Sequence, residues 1–263
     1  MVASARADAA PLPKLFFLHI PKTAGTSLVD ALSQQYDEGR RKNYIEGLPR
    51  EDWPNLTAQF ISGHLFFEEL NKQPWAADSL WITTFREPFA RLASHLRYMD
   101  RYNQDNFRTD YEAMPEDRRR VVDRLSQVDF SDGQAIGRFL SDLDPWSTFA
   151  FDNSQVRFLI DAPDPELIHK PEAIDGAKLD LALSRLDSFE EIGVAEDLEG
   201  FLARLSHRFP TPIPAPPHSN LSGCLRPIDI CRHGVREALA SRLEFDLALY
   251  AAVTKRLNCK AAV

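Results

Sequence analysis

The sequence predicts an α/β fold with a mostly parallel sheet covered by helices on both faces, and three observations predict it. Two short continuous apolar runs, Leu15-Phe16-Phe17-Leu18-His19-Ile20 and Leu80-Trp81-Ile82-Thr83-Thr84-Phe85, have the composition of strands buried on both sides. Each passes into a tight turn and then into a helical pattern. A third run, Glu190-Glu191-Ile192-Gly193-Val194-Ala195, does the same late in the chain. Strands that alternate with helices at this spacing imply parallel units joined by crossovers rather than hairpins.

Order is expected to begin at Lys14, after an Ala-rich tail over residues 1–13 with two prolines. The tail has no apolar stretch of signal-peptide type, and Asp8 argues against a targeting helix. After the first strand, Pro21 to Thr26 forms a turn, and Ser27, Leu28, Val29 and Leu32 open a helix. Phe60-Ile61-Ser62-Gly63-His64 is a weaker strand ending in a loop. The strand over 80–85 runs into Arg86-Glu87-Pro88, and Pro88 suits the first turn of a helix continuing through Arg91, Leu92, Leu96 and Met99. From Asp100 to Trp146 the chain reads as charged and irregular, with helical patches at 121–125 and 135–140. Glu196-Asp197 starts a helix with Leu198, Phe201, Leu202 and Leu205 on one face. Four prolines within 211–217 make an extended loop. One long amphipathic helix over 234–257 closes the chain, with Val235, Leu239, Leu243, Leu247, Tyr250 and Val253 inward.

With 263 residues and 44% hydrophobic content, the chain suits one large domain over 14–263. A net charge of -8 argues against bulk nucleic-acid binding while leaving room for a local basic pocket. No apolar run reaches the roughly 20 residues of a membrane helix, so no membrane insertion is expected. Cys224, Cys231 and Cys259 form no disulfide framework, which points to a reducing, cytoplasmic setting. Cys224, Cys231 and His233 lack metal-ligand spacing, so no metal is expected.

Pro21-Lys22-Thr23-Ala24-Gly25-Thr26-Ser27 carries the chemistry. Small residues at a helix start let successive N–H groups wrap an anion, and Lys22 adds a full charge. An ordinary capped turn explains Thr26 or Ser27 but not Lys22. The lysine precedes the glycine, so this is not a Walker A loop. A magnesium-dependent nucleotide hydrolase would also want an aspartate closing the next core strand. That strand ends instead in Arg86, a second cation, which favours a nucleotide bearing an extra phosphate over ATP.

His19-Ile20-Pro21-Lys22-Thr23-Ala24-Gly25-Thr26-Ser27-Leu28 resembles the 5′-phosphosulfate loop of sulfotransferases that use 3′-phosphoadenosine-5′-phosphosulfate (PAPS). The branch it looks most like contains heparan sulfate 2-O- and 6-O-sulfotransferases and their bacterial relatives. Arg86-Glu87-Pro88-Phe89-Ala90-Arg91-Leu92-Ala93-Ser94 resembles that family's 3′-phosphate motif, R-[DE]-P-x-x-R-x-x-S. Weaker likeness extends to 191–198 and to Asp246-Leu247-Ala248-Leu249-Tyr250. The resemblance implies a three-layer core like that of P-loop kinases, no metal, and a carbohydrate acceptor, with sulfation of a lipid or small alcohol, or a non-catalytic module that binds PAPS or its desulfated product, as the alternatives. It implies that Lys22, Thr23, Ala24, Gly25, Thr26 and Ser27 hold the phosphosulfate, and that Arg86 and Ser94 hold the 3′-phosphate. Arg91 is either a ligand contact or a packing residue.

Sulfuryl transfer needs alignment, charge stabilisation and removal of the acceptor's proton. His64, after the second strand, matches the family's G-H position and is the expected base; Lys22 is the expected electrophile for the leaving oxygen. His19 is the runner-up, or packs beneath the loop; His218 lies in the Pro-rich loop, which the resemblance implies folds over the nucleotide. His169, His207 and His233 read as surface residues, and His95 as facing away from Ser94. Residues 100–158 read as an acceptor-binding insert. Arg118-Arg119-Arg120 reads there as a solvated helix face, and Asn153, Gln155 and Arg157 as alternating polar groups on one face. Trp53, Trp75 and Trp146 either stack on a sugar or are buried.

Overall fold

The computed structural model describes residues 12–160, 171–214 and 225–261. His169, His218 and Cys224 lie outside them, as does most of the 1–13 tail. Five strands are β1 Leu15–Leu18, β2 Arg41–Lys42, β3 Phe60–Gly63, β4 Leu80–Phe85 and β5 Glu191–Val194. They form one parallel sheet in the order β2-β3-β1-β4-β5. The expected α/β architecture with a parallel sheet is therefore present, and β1 sits at its centre with Leu18 opposite both Gly63 and Thr83.

The alternation along β1 explains why its apolar run is unbroken. Leu15 and Phe17 pack with α1 (Gly25–Ser33) and α10 (Leu198–Ser206) on one face. Phe16 and Leu18 pack on the other face, with α2 (Phe67–Asn71), α8 (Ser154–Ile160), α9 (Gly176–Arg185) and α12 (Glu244–Ala261). Each fully buried Leu or Phe contributes roughly 1.5–3 kcal/mol, so a strand feeding two cores is doubly fixed.

The segment 100–158 is more ordered than its charge pattern predicts. It holds α4 (Arg108–Ala113), α5 (Glu116–Ser126), α6 (Gly133–Ser141), α7 (Pro145–Phe151) and most of α8. Val121, Val122, Leu125, Ile136, Phe139 and Leu140 join α3 (Pro88–Asp100) and α11 (His233–Ala240) in a third apolar cluster. Gly133 lies against Gly234 so closely that a Cβ would stand 2.2 Å from the Gly234 carbonyl oxygen, which explains a glycine at this helix contact.

The single C-terminal helix expected over 234–257 is two helices. α11 ends at Ala240 and α12 begins at Glu244. Asn153 Oδ1 accepts hydrogen bonds from the amides of Phe245 and Asp246 at 2.9 and 3.1 Å, capping α12 from a distant part of the chain. Of the six residues expected inward, Val235, Leu239, Leu243 and Val253 are buried, whereas Leu247 and Tyr250 are half-buried and Asp246 and Leu249 take the buried positions of α12. Trp53 and Trp75 are core residues, with Trp75 Nε1 donating to the Trp53 carbonyl at 2.7 Å, while Trp146 is half-buried beside the Arg118 guanidinium.

Candidate active site

Parallel strands bring every carboxyl end to one edge of the sheet, so His19, His64, Arg86 and Glu196 emerge together. The edge helices α1 and α3 leave β1 and β4 toward different cores. The crevice between those two strand ends is where ligands of open α/β sheets bind.

The turn after β1 enters that crevice. Lys22 and Ala24 both have positive φ, 72° and 66°, with Thr23 between them outside that region. Alternating hands of this kind curl the backbone so that N–H groups converge. Holding two non-glycine residues left-handed costs of order 1 kcal/mol or more each, a strain typical of sites. Thr23 supplies the restraint. Its buried hydroxyl donates to the Ile20 carbonyl at 2.9 Å, and its oxygen lies 3.1 Å from the Thr84 hydroxyl. Thr84 in turn donates to the Thr23 carbonyl, so β4 clamps the turn. Thr23 is thus inside the turn, supporting its shape. No side chain caps α1, which leaves its first-turn amides available at its positive end.

His19 lies beneath the turn. It stacks on Phe17, with centroids 5.3 Å apart, and a Cβ on Gly25 would fall 2.0 Å from its Cδ2. Close approach, not a positive φ, requires glycine there. His64 Nδ1 is 2.6 Å from the His19 carbonyl oxygen. A carbonyl only accepts, so Nδ1 carries the proton and Nε2 keeps its lone pair. Burial lowers the pKa of His64, with Glu46 opposing and Lys22 reinforcing the effect. The imidazole is therefore neutral near pH 7. Tyr44 completes this end, with its ring 6.1 Å from both histidines and its phenol bonded to the Thr26 side chain.

The cations gather on the other side. Arg86 donates from Nη1 to the Lys22 carbonyl at 3.3 Å, so the two expected phosphate-binding elements touch. Gln155 holds the Arg86 backbone from both sides, accepting from its N–H at 2.9 Å and donating to its carbonyl at 3.0 Å. Ser94 is half-buried on α3. Beyond it on that helix come Arg97, Tyr98 and, at its C-terminal cap, Arg101. Lys22 Nζ stands 4.1 Å from the Tyr98 ring centroid and the Arg101 guanidinium 4.0 Å. Burial lowers the Lys22 pKa to about 8, helped by Arg101 first and then by Arg86, Arg97 and Arg91. Among the described residues, Lys22, Arg86, Arg97 and Arg101 have no ion-pair partner. Four cations converge without an ion pair among the described residues, with Glu196 and Glu87 acting on Arg86 from nearby, and in a chain of charge -8 they make a candidate anion site.

Arg97, Tyr98 and Arg101 were not singled out from the sequence, although their spacing of three, four and seven from Ser94 is a helix stripe. Arg91 turns into the core instead: it is fully buried and donates to the Ala150 carbonyl at 3.0 Å. His95 is buried beside it, and burial lowers its pKa with the charges of Arg91, Lys22 and His64 reinforcing the effect, so it lies behind the crevice rather than far from it. His207 and His233 are exposed. Asn153, Gln155 and Arg157 do not share a face. All three are buried, and Arg157 pairs with Asp152 at 2.7 Å. Arg118 and Arg120 are exposed and Arg119 half-buried, and Arg120 pairs with Glu116. Cys231 and Cys259 are exposed, and among the described residues no group of histidine, cysteine and carboxylate side chains is arranged to hold a metal. No helix among the described residues is long and apolar enough to cross a membrane.

No protein-family model matches the chain, and no curated protein matches it. The functional reading therefore rests on residues and geometry.

Proposed function

We propose that this chain is an O-sulfotransferase that moves the sulfuryl group of PAPS to a hydroxyl, with a carbohydrate as the favoured acceptor. One observation carries the reading: the Lys22 turn and Arg86 meet at the ends of β1 and β4 without an ion pair among the described residues, and although Glu196 and Glu87 lie near Arg86, no group of histidine, cysteine and carboxylate side chains among those residues is arranged to hold a metal. A nucleotide with phosphates at both ends satisfies that charge distribution without a metal. The strand order, with β1 central and its loop feeding α1, supports a core of the P-loop-kinase type. The carbohydrate acceptor rests on the sequence resemblance, and exposed Cys231 and Cys259 are compatible with a reducing, cytoplasmic setting.

In this reading His64 Nε2 takes the proton of the acceptor hydroxyl as its oxygen attacks sulfur. A sulfur–oxygen bond forms to the acceptor, and the bond from sulfur to the bridging oxygen breaks. The electron pair leaves on that oxygen, where Lys22 Nζ and the turn amides offset the charge. The products are the sulfate ester, 3′-phosphoadenosine-5′-phosphate (PAP), and a proton on His64.

Titration calorimetry with PAP, AMP and ATP, with and without magnesium, tests the nucleotide. PAP is expected to bind more tightly than AMP without metal, and Arg86→Ala to erase roughly tenfold or more of that preference, the scale of a charge-assisted contact to phosphate. Tighter binding of ATP with magnesium than of PAP would install a kinase in its place.

A further inference from the structure

The anion site contains more charge than a 3′-phosphate pocket and a phosphate turn require, and its surplus lies at one end. Ser94, Arg97 and Arg101 lie along α3 and its cap, over about 10 Å of helix axis at 1.5 Å per residue. Arg86 leads into the first of them. Arg101 is at the far end, where it shares the Tyr98 ring with Lys22; both charges are about 4 Å from one centroid and so no more than about 8 Å apart.

Arg101 is built to stay there. Its guanidinium lies 4.7 Å from the Tyr102 ring centroid and 4.8 Å from that of Phe107, and its Nη2 donates to the Tyr102 hydroxyl at 2.8 Å. Its Nε is buried without a hydrogen-bond partner, as is the Nε of Arg97. Three aromatic rings hold the group in place without neutralising it. A half-buried guanidinium stacked among aromatic rings near a lysine, with no ion pair among the described residues, is an arrangement that an anion would complete. Arg97 stands between the two ends: its charge acts on both Arg86 and Lys22, whereas Arg101 is the leading charge acting on Lys22.

We propose that Arg101, held on Tyr98, binds the sulfonate end of the phosphosulfate, dividing the crevice into two anion subsites. Arg86 and Ser94 take the 3′-phosphate; Lys22 and Arg101 take the group that is transferred. This rests on the sulfotransferase reading. Charge matches it: a 3′-phosphate of about two charges and a phosphosulfate of two meet Lys22, Arg86, Arg97 and Arg101. The division also gives product release a physical basis. Once the sulfuryl group has moved to the acceptor, PAP lacks the sulfonate oxygens assigned to Arg101 and keeps only its 5′-phosphate beside Lys22.

Calorimetry with three nucleotides separates the subsites in the full chain. AMP is the reference, PAP adds the 3′-phosphate, and adenosine 5′-phosphosulfate adds the sulfonate. Arg101→Gln is expected to cut the preference for adenosine 5′-phosphosulfate over AMP about tenfold and leave the preference for PAP over AMP unchanged. Arg86→Ala is expected to do the reverse. A thermal melt of each variant checks folding. If Arg101→Gln does not fold, Arg101→Lys keeps the charge in the stack without the planar fork and is expected to show a loss of about threefold in the same ratio. Loss of the PAP preference in the Arg101 variant, or no change in either ratio, overturns the assignment while leaving PAP binding intact. Failure of the wild-type protein to bind PAP at all removes the sulfotransferase reading and this inference with it.

Discussion

His64→Ala is expected to slow sulfate transfer by 10²- to 10⁴-fold, the range for loss of a positioned base, while PAP affinity stays within about twofold. The separation follows from where the histidine sits. Its Nδ1 is committed to the His19 carbonyl, and the cationic end of the crevice is built from β4 and α3. Transfer from labelled PAPS to an acceptor chosen from a glycan panel measures the first quantity, and calorimetry the second. Binding retained with transfer lost supports catalysis; a variant keeping more than a tenth of the wild-type rate removes His64 from the chemistry. The pH profile adds a second signature. His64 acts as a base once deprotonated, and burial lowers its pKa, so the midpoint of the acid limb of kcat/KM should lie below the usual imidazole value of 6.5. Lys22 acts while protonated, and its free-protein pKa is about 8, so kcat/KM should fall as pH passes that value. In His64→Ala the acid limb should vanish and the alkaline limb persist.

The parts legible in the sequence were those fixed locally. The strands over 15–18 and 80–85 are buried on both faces, so burial alone marks them, and Pro88 marks the start of α3 through its fixed φ. The 22–27 segment was legible as a tight strand-to-helix turn from its small residues, and the structure adds the left-handed backbone at Lys22 and Ala24. The parts that were missed are fixed from afar. The break before α12 carries neither glycine nor proline, and its cap is Asn153, nearly a hundred residues away. Asn153, Gln155 and Arg157 read as one alternating face, but they start a helix, where positions two apart point in different directions. Charges over 100–146 hid short helices that bury three residues each in α5 and α6 and none in α4, too few to set up a visible period. β2 is two residues long at the sheet edge, below any pattern.

The same long-range wiring sets the second large effect. Asp246, fully buried, accepts from the amides of Val156 and Gln155 at 2.9 and 3.2 Å, and its charge opposes that of buried Arg91. Asp246→Ala leaves two buried amides without acceptors and removes the compensating charge. Taking one partner from a buried charged network costs about 3–5 kcal/mol, a large part of a domain's usual 5–15 kcal/mol. Urea unfolding should show that loss as a lower midpoint at an unchanged slope. A loss below about 1 kcal/mol would mean that water or a rearranged side chain replaces the carboxylate. Asp246→Asn, which keeps one oxygen for the amides but not the charge, should fall between the two proteins. The consequence extends to the crevice, because the residue whose amide Asp246 holds is Gln155, and the Gln155 side chain grips both backbone groups of Arg86. In Asp246→Asn the preference for PAP over AMP should therefore weaken more than binding of AMP does, since AMP lacks the phosphate assigned to Arg86. An equal loss for both nucleotides would place the effect in the fold as a whole rather than in the path from α12 to the anion site.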